Sequence, residues 1–179
     1  YREYPTLRPQ PGWAELDSAA VIRAVKDAIR ETAAQCSGDP ITALSVSSMG
    51  EAMTPVDARR RILAPCILSS DTRGGETVEA IKREIGQRAF YEINPNILGV
   101  NYSLPKLNWI RRHQPEVYER ADKFLLWADM VGCALGGEAM TSYSLANRTM
   151  LFDIRRERWS DRLLELGGID RAKLPDAKP

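Results

Sequence analysis

Histidine is almost missing: His113 is the only one in 179 residues. A Ser-His-Asp or Cys-His catalyst would have to be built on that single imidazole, so hydrolase chemistry starts weak. Cysteine is scarce and odd in number. Cys36, Cys66 and Cys133 lie far apart with no neighbouring Cys or His, which argues against a disulfide framework and against a metal site, zinc included. A reducing, cytoplasmic compartment is the default expectation. Charge of one sign is also missing. Lys+Arg total 25 and Asp+Glu 24, a net charge of +1, so the broad basic footprint of a nucleic-acid binder is absent. Trp13, Trp109, Trp127 and Trp159 do not interleave with a basic stripe either. No apolar run approaches the roughly 18 residues of a membrane span; the longest, 124–135, is broken by Asp129. Residues 1–13 carry three prolines and several charges, which excludes the apolar centre of a signal peptide. No Gly-rich phosphate cradle followed by Lys-Ser/Thr and no dinucleotide fingerprint occurs, so no nucleotide site is expected on this chain.

What is present is a globular composition, 44% hydrophobic, and a mixed order of elements. Pro5, Pro9 and Pro11 forbid a helix or a central strand over most of 1–13. Asp17 or Ser18 can cap a helix running to about Gln35, with Val21, Ile22, Val25, Ala28 and Ile29 as its stripe. Ser37-Gly38-Asp39-Pro40 then ends it. Residues 41–49 alternate small and branched side chains and predict a strand covered on both faces. Residues 52–56 and 62–68 predict two short strands around the charged turn 57–61. A helix carrying Val78, Ile81 and Ile85 is stopped by Gly86. Residues 90–100 read as irregular. Ser103 can cap a helix with Pro105 in its first turn, and 115–121 form a short helical turn. Asp129 can cap a helix over 130–135. Residues 143–153 look strand-like, and 159–166 predict a last helix stopped by Gly167-Gly168. The order implies an α/β or α+β domain with an inserted helical part.

Chemistry gathers at few places. Ser47-Ser48-Met49-Gly50-Glu51 follows the predicted strand at its carboxyl end, where open α/β sheets collect ligands. Hydroxyls, a glycine and a carboxylate suit a polyhydroxylated small molecule; the plainer reading is a strand ending in a polar loop. Asp71 and Arg73, beside Gly74 and Gly75, can orient a ligand, or form a local ion pair worth under about 1 kcal/mol if exposed. Arg111-Arg112-His113, followed by Glu116 and Glu119, reads as a solvated face, and Arg59-Arg60-Arg61 as a surface turn.

An ordered set of stretches resembles the amino-terminal domain of the FGGY carbohydrate kinases. Pro11-Gly12-Trp13-Ala14-Glu15, the run from Ile41 to Glu51, Ile62 to Arg73 with its Asp-x-Arg loop, Ser103-Leu-Pro-Lys-Leu-Asn-Trp-Ile110 with Pro115-Glu116, Asp129 to Gly137, Tyr143 to Asp153, and Trp159-Ser160-Asp161 carry it. The resemblance implies an α/β, ribonuclease-H-like (actin-like ATPase) fold, incomplete at its N-terminal hairpin. It implies that 1–179 is a partial N-terminal, sugar-binding domain, with the C-terminal ATP domain outside the chain. The parent enzyme would transfer the γ-phosphate of ATP, with Mg, to a hydroxyl of a sugar, polyol or aldonate. Its general-base aspartate would lie outside this chain, which alone is expected to bind no ATP or Mg and to be inactive. Met49, Gly50, Glu51, Ser69, Asp71, Arg73, Asn101 and Tyr102 match the substrate-binding positions. Ser69 replaces a large aromatic, Arg59-Arg60 an Asp-Gly turn, Ser142 an aspartate, and Asn108 interrupts an apolar helix position. The partners implied are a small molecule and, at most, a second copy in a homodimer, with neither nucleic acid nor membrane. The rival expectation is a non-catalytic sugar-binding or dimerising module, or a gene remnant.

Overall fold

The computed structural model describes residues 1–36 and 38–179. Ser37, the first residue of the expected turn 37–40, lies outside the described residues. The first helix, α1, spans Ser18–Ala34. The sequence left Asp17 and Ser18 as alternative caps; Asp17 is the cap, its Oδ1 accepting the Ala20 N–H at 2.9 Å. Ser18 is instead buried, its hydroxyl hydrogen-bonded to that of Thr54 at 2.9 Å.

Thr54 belongs to β2 (Met53–Val56), which pairs antiparallel with β4 (Lys123–Leu126). This ribbon divides the core by the period-2 rule of strands. Met53, Phe124 and Leu126 face one apolar cluster, with Phe90, Leu104, Leu107 and Phe152. Val56 and Leu125 face the other, with Val21, Ile22, Trp127 and Met130. Among the described residues three further two-stranded pairings complete the strands: β1 (Glu15–Leu16) with β3 (Cys66–Ile67), the parallel pair β5 (Met140–Ser142) with β8 (Asp176–Lys178), and β6 (Phe152–Asp153) with β7 (Arg158–Trp159).

Several expectations are corrected. Residues 41–49 form no strand: among the described residues they have no ladder partner, and Ile41 and Leu44 are half exposed. The alternation is present, but a strand needs a neighbour to accept its N–H groups. The segment instead borders an apolar groove of about 350 Å³ lined by Val25, Ile29, Leu44, Val46 and Trp127. The strand expected over 62–68 shrinks to Cys66–Ile67, since Pro65 has no N–H to give. Gly86 does not only stop α2 (Gly75–Glu84). With φ +73° it turns the chain into α3 (Gly86–Ile93), which overlaps the stretch read as irregular. The strand read over 143–153 is α7 (Tyr143–Asn147) followed by the two residues of β6. Trp159 lies in β7, so the last helix, α8, is Asp161–Gly167, and Gly168 at φ +63° closes it as expected.

Asn108, an interruption in an apolar stripe by sequence, is a buried cross-link. It sits in α4 (Ser103–His113), accepts the Thr77 hydroxyl of α2 at 2.8 Å and donates to the Gly167 carbonyl of α8 at 2.6 Å. α5 (Pro115–Arg120) follows as read.

Asp129 was read as the cap of the next helix, but α6 begins two residues earlier, at Trp127–Ala134. Asp129 is buried in its first turn and accepts the Leu126 N–H at 3.1 Å. Burial pushes its carboxyl up to about 7, against that hydrogen bond. A folded pKa above the unfolded value means the fold prefers the protonated form, so stability falls as pH rises from about 4 through 7. Asp129→Asn keeps an acceptor and removes the charge. It is expected to raise stability by about 2 kcal/mol at pH 8.5; urea unfolding should show the gain narrowing on acidification and closing near pH 4. A pH-independent gain, or a loss at pH 8.5, would contradict this account.

Candidate functional site

The start of α4 draws the candidate residues together. Ser103, expected to cap the helix, is its first residue, and its hydroxyl donates to the Glu51 carbonyl at 2.6 Å. The next N–H, of Leu104, donates to the Thr149 carbonyl at 2.9 Å. One helix end thus fastens both the 49–51 loop and the 148–150 turn, which sets Arg148 beside Glu51. Arg148 Nε donates to Glu51 Oε1 at 2.9 Å, Nη2 donates to the same oxygen, and Nη1 donates to Asn96 Oδ1 at 3.2 Å. The guanidinium also lies 4.8 Å from the centroid of the Tyr102 ring. Burial acts to lower the Arg148 pKa, but the Glu51 carboxylate outweighs it and the net direction is upward. A Cβ at Gly50 would stand 3.0 Å from Arg148 Cγ, so a larger residue there would press on the Arg148 side chain.

Arg148 is a residue the sequence reading missed. Behind it stands an asparagine network, also unforeseen. Asn96 Nδ2 donates to Asn94 Oδ1 at 2.6 Å and to the Asn147 carbonyl at 2.9 Å. Asn94 Nδ2 donates to the Phe152 carbonyl at 2.9 Å and to Asn147.

A second group forms on the loop after β3. The Asp71 and Arg73 side chains are 0% and 4% exposed, so the discount for an exposed pair does not apply. Asp71 Oδ2 accepts the Ala14 N–H at 2.6 Å and Arg73 Nη2 at 2.7 Å; Oδ1 accepts Arg73 Nε at 2.9 Å and the Arg73 N–H at 2.8 Å. Burial acts to raise the Asp71 pKa, but these donors together hold it below its ordinary value. Arg73 also pairs with Glu15 at 2.7 Å, and its guanidinium sits 3.7 Å from the Trp13 centroid and 4.7 Å from that of Trp109. Lys106 of α4 closes the group, donating to the carbonyls of Asp71 at 2.5 Å and Arg73 at 2.9 Å. Burial lowers the Lys106 pKa to about 8, against the pull of Asp71.

Of the eight residues named from sequence, Gly50, Glu51 and Tyr102 meet around Arg148. Met49 and Asn101 stand exposed next to them in sequence, and Ser69 is half-buried ahead of the Asp71 loop. Asp71 and Arg73 belong instead to the second group, a buried latch in which their ion pair and Lys106 fasten the loop after β3 to α4. Ser142, read as a departure from an aspartate, caps α7 by accepting the Leu145 N–H at 3.3 Å, a task serine and aspartate share. His113 is exposed and stacks on Trp109, and burial pushes the Cys66 thiol up to about 12, which leaves it inert near neutral pH.

The profile of the FGGY family of carbohydrate kinases, N-terminal domain, matches residues 1–179. The chain belongs to that family. It is 34% identical over 184 residues to the glycerol kinase of Thermococcus kodakarensis, covering 98% of this chain and 36% of that protein. It is 29% identical over 173 residues to the xylulose kinase of Staphylococcus xylosus, covering 97% of this chain and 36% of that protein. A solved xylulose kinase from Brucella ovis superposes with a TM-score of 0.89 at 32% identity, over 98% of this chain and 36% of that one. The fold is therefore that of the FGGY sugar kinases, ribonuclease-H-like and actin-like. The chain spans about a third of the length of the relatives it matches. Among the described residues no helix is long and apolar enough to cross a membrane.

Proposed function

We propose that residues 1–179 are the sugar-binding part of an ATP-dependent carbohydrate kinase, which transfers the γ-phosphoryl group of ATP to a hydroxyl of a sugar, polyol or aldonate. The observation that carries the reading is the geometry at Glu51. Its carboxylate is held by one oxygen, Oε1, which leaves Oε2 as an acceptor for a substrate hydroxyl. Met49, Gly50, Asn101, Tyr102 and Ser69 surround the sugar in this proposal, and Asp71 and Arg73 serve it by holding the loop that carries Ser69. Among the described residues no three His, Cys, Asp or Glu side chains converge as metal ligands. In this proposal the nucleotide, its metal and the general base are assigned to other parts of the protein. Residues 1–179 alone are accordingly expected to turn over no ATP.

The test is ADP release by the full-length gene product, given Mg-ATP and, separately, D-xylulose, glycerol and gluconate. Turnover dependent on one of these is expected. Folded protein that turns over ATP with no sugar dependence across a broad panel of ketoses, polyols and aldonates sinks the proposal.

A further inference from the structure

We infer that Arg148 is a positioning residue, which fixes and aims the Glu51 carboxylate for substrate; this rests on the reading of Glu51 given above. Two of its N–H groups converge on Glu51 Oε1. No described residue donates to Oε2. The pair thus divides the carboxylate into an anchored oxygen and a free one, and a carboxylate oxygen is a strong acceptor for a hydroxyl. Arg148 is itself held. Its third contact is Asn96 Oδ1 and its face lies on Tyr102. Asn96 is fixed in turn by Asn94 and by the Asn147 carbonyl, and Asn94 by the Phe152 carbonyl. A chain of hydrogen bonds therefore runs from β6 to Glu51, through a side chain whose own sequence neighbours, Asn147 and Thr149, anchor the turn. Space-filling alone would not require a guanidinium with three satisfied directions. Fixing a binding group before the ligand arrives removes an ordering cost from binding.

The experiment uses the full-length gene product with four variants: Arg148→Met, Arg148→Lys, Glu51→Gln, and the double variant Arg148→Met with Glu51→Gln. Steady-state constants for the phosphorylated sugar and for ATP are measured beside thermal midpoints. Arg148→Met is expected to raise the sugar KM about tenfold or more, with kcat and the ATP KM near those of the wild type. Arg148→Lys, which keeps a charge but not the fork, should fall between. The double variant should be no worse than Glu51→Gln alone, because Arg148 acts through Glu51. An unchanged sugar KM in Arg148→Met overturns the inference, and so does a double variant that loses the product of the two single effects. If Arg148→Met fails to fold, Arg148→Lys decides: a raised sugar KM at a wild-type midpoint supports the inference, and a wild-type KM overturns it. A wild-type protein that phosphorylates no sugar brings down the reading of the site, and this inference with it. A sugar kinase indifferent to Arg148 overturns this inference alone.

Discussion

Replacing Asp71 by asparagine is expected to destabilise the fold by about 3–5 kcal/mol at pH 7, the range for removing one partner of a buried ionic group. Both oxygens of Asp71 are acceptors in the folded chain. Oδ1 receives the backbone and side chain of Arg73, and Oδ2 receives the Ala14 N–H and the same guanidinium. An amide must turn its NH₂ toward one of these sets, so a donor meets a donor. The charge balance fails as well. Among the described residues Arg73 keeps only Glu15 as a close counter-charge, and Lys106, 3.8 Å from Asp71 Oδ1, loses the carboxylate that opposes the lowering of its pKa by burial. Arg73 cannot escape to water, because Trp13 and Trp109 lie against its guanidinium. The pH dependence gives a second readout. The folded pKa of Asp71 is lowered, so its contribution is present above the ordinary 3.8 and is lost as pH falls through the folded value. Urea unfolding should therefore show a full deficit for Asp71→Asn at pH 7 that shrinks in acid, where the wild type loses the same charge. A deficit under about 1 kcal/mol at pH 7 would place Asp71 with exposed pairs and refute the latch.

The same latch shows where sequence reading stops. Asp71 and Arg73 are two residues apart, so their pairing was legible. Their burial was not, because the tryptophans that enclose them lie far away along the chain, at 13 and 109. Local signals served well where the physics is local. Asp17 caps α1, Pro105 sits in the first turn of α4, and Gly168 closes α8. They failed where the outcome depends on a partner. Residues 41–49 have a strand's alternation but no described neighbour to pair with. Residues 143–153 are too short in each element for periodicity to separate a five-residue helix from a two-residue strand. The ordered motifs, read together, located the family, and of the residues they singled out Gly50, Glu51 and Tyr102 come together around Arg148. Arg148 escaped because it stands 97 residues from Glu51 and inside the misread stretch. One signal could have flagged it: a lone arginine, Asn147-Arg148-Thr149, just ahead of the apolar Met150-Leu151-Phe152, is a charge that needs a partner.

Gly74→Ala is the other substitution expected to act strongly, lowering stability by about 3 kcal/mol or more. Two independent costs combine at this position. The backbone sits at φ +84°, in the left-handed region that disfavours a residue with a Cβ by roughly 1–2 kcal/mol. A Cβ there would also stand 2.2 Å from the Pro105 carbonyl oxygen and 2.6 Å from its carbon. Those are backbone atoms of α4, so no rotamer change relieves the clash; the helix or the loop must move, at a further 1–3 kcal/mol or so. The displacement falls on the latch, because Gly74 follows Arg73 directly and Pro105 precedes Lys106, whose ammonium holds the Asp71 and Arg73 carbonyls. Gly75, one residue on, is the control. A Cβ there meets nothing within 4 Å and its φ is not positive, so Gly75→Ala should change stability by less than about 1 kcal/mol. Equal urea midpoints for the two variants would mean that the approach of the 73–75 loop to α4 is looser than the contact distances require. A large loss confined to Gly74→Ala ties the same loop, and Ser69 at its head, to the helix that begins at the sugar site proposed above.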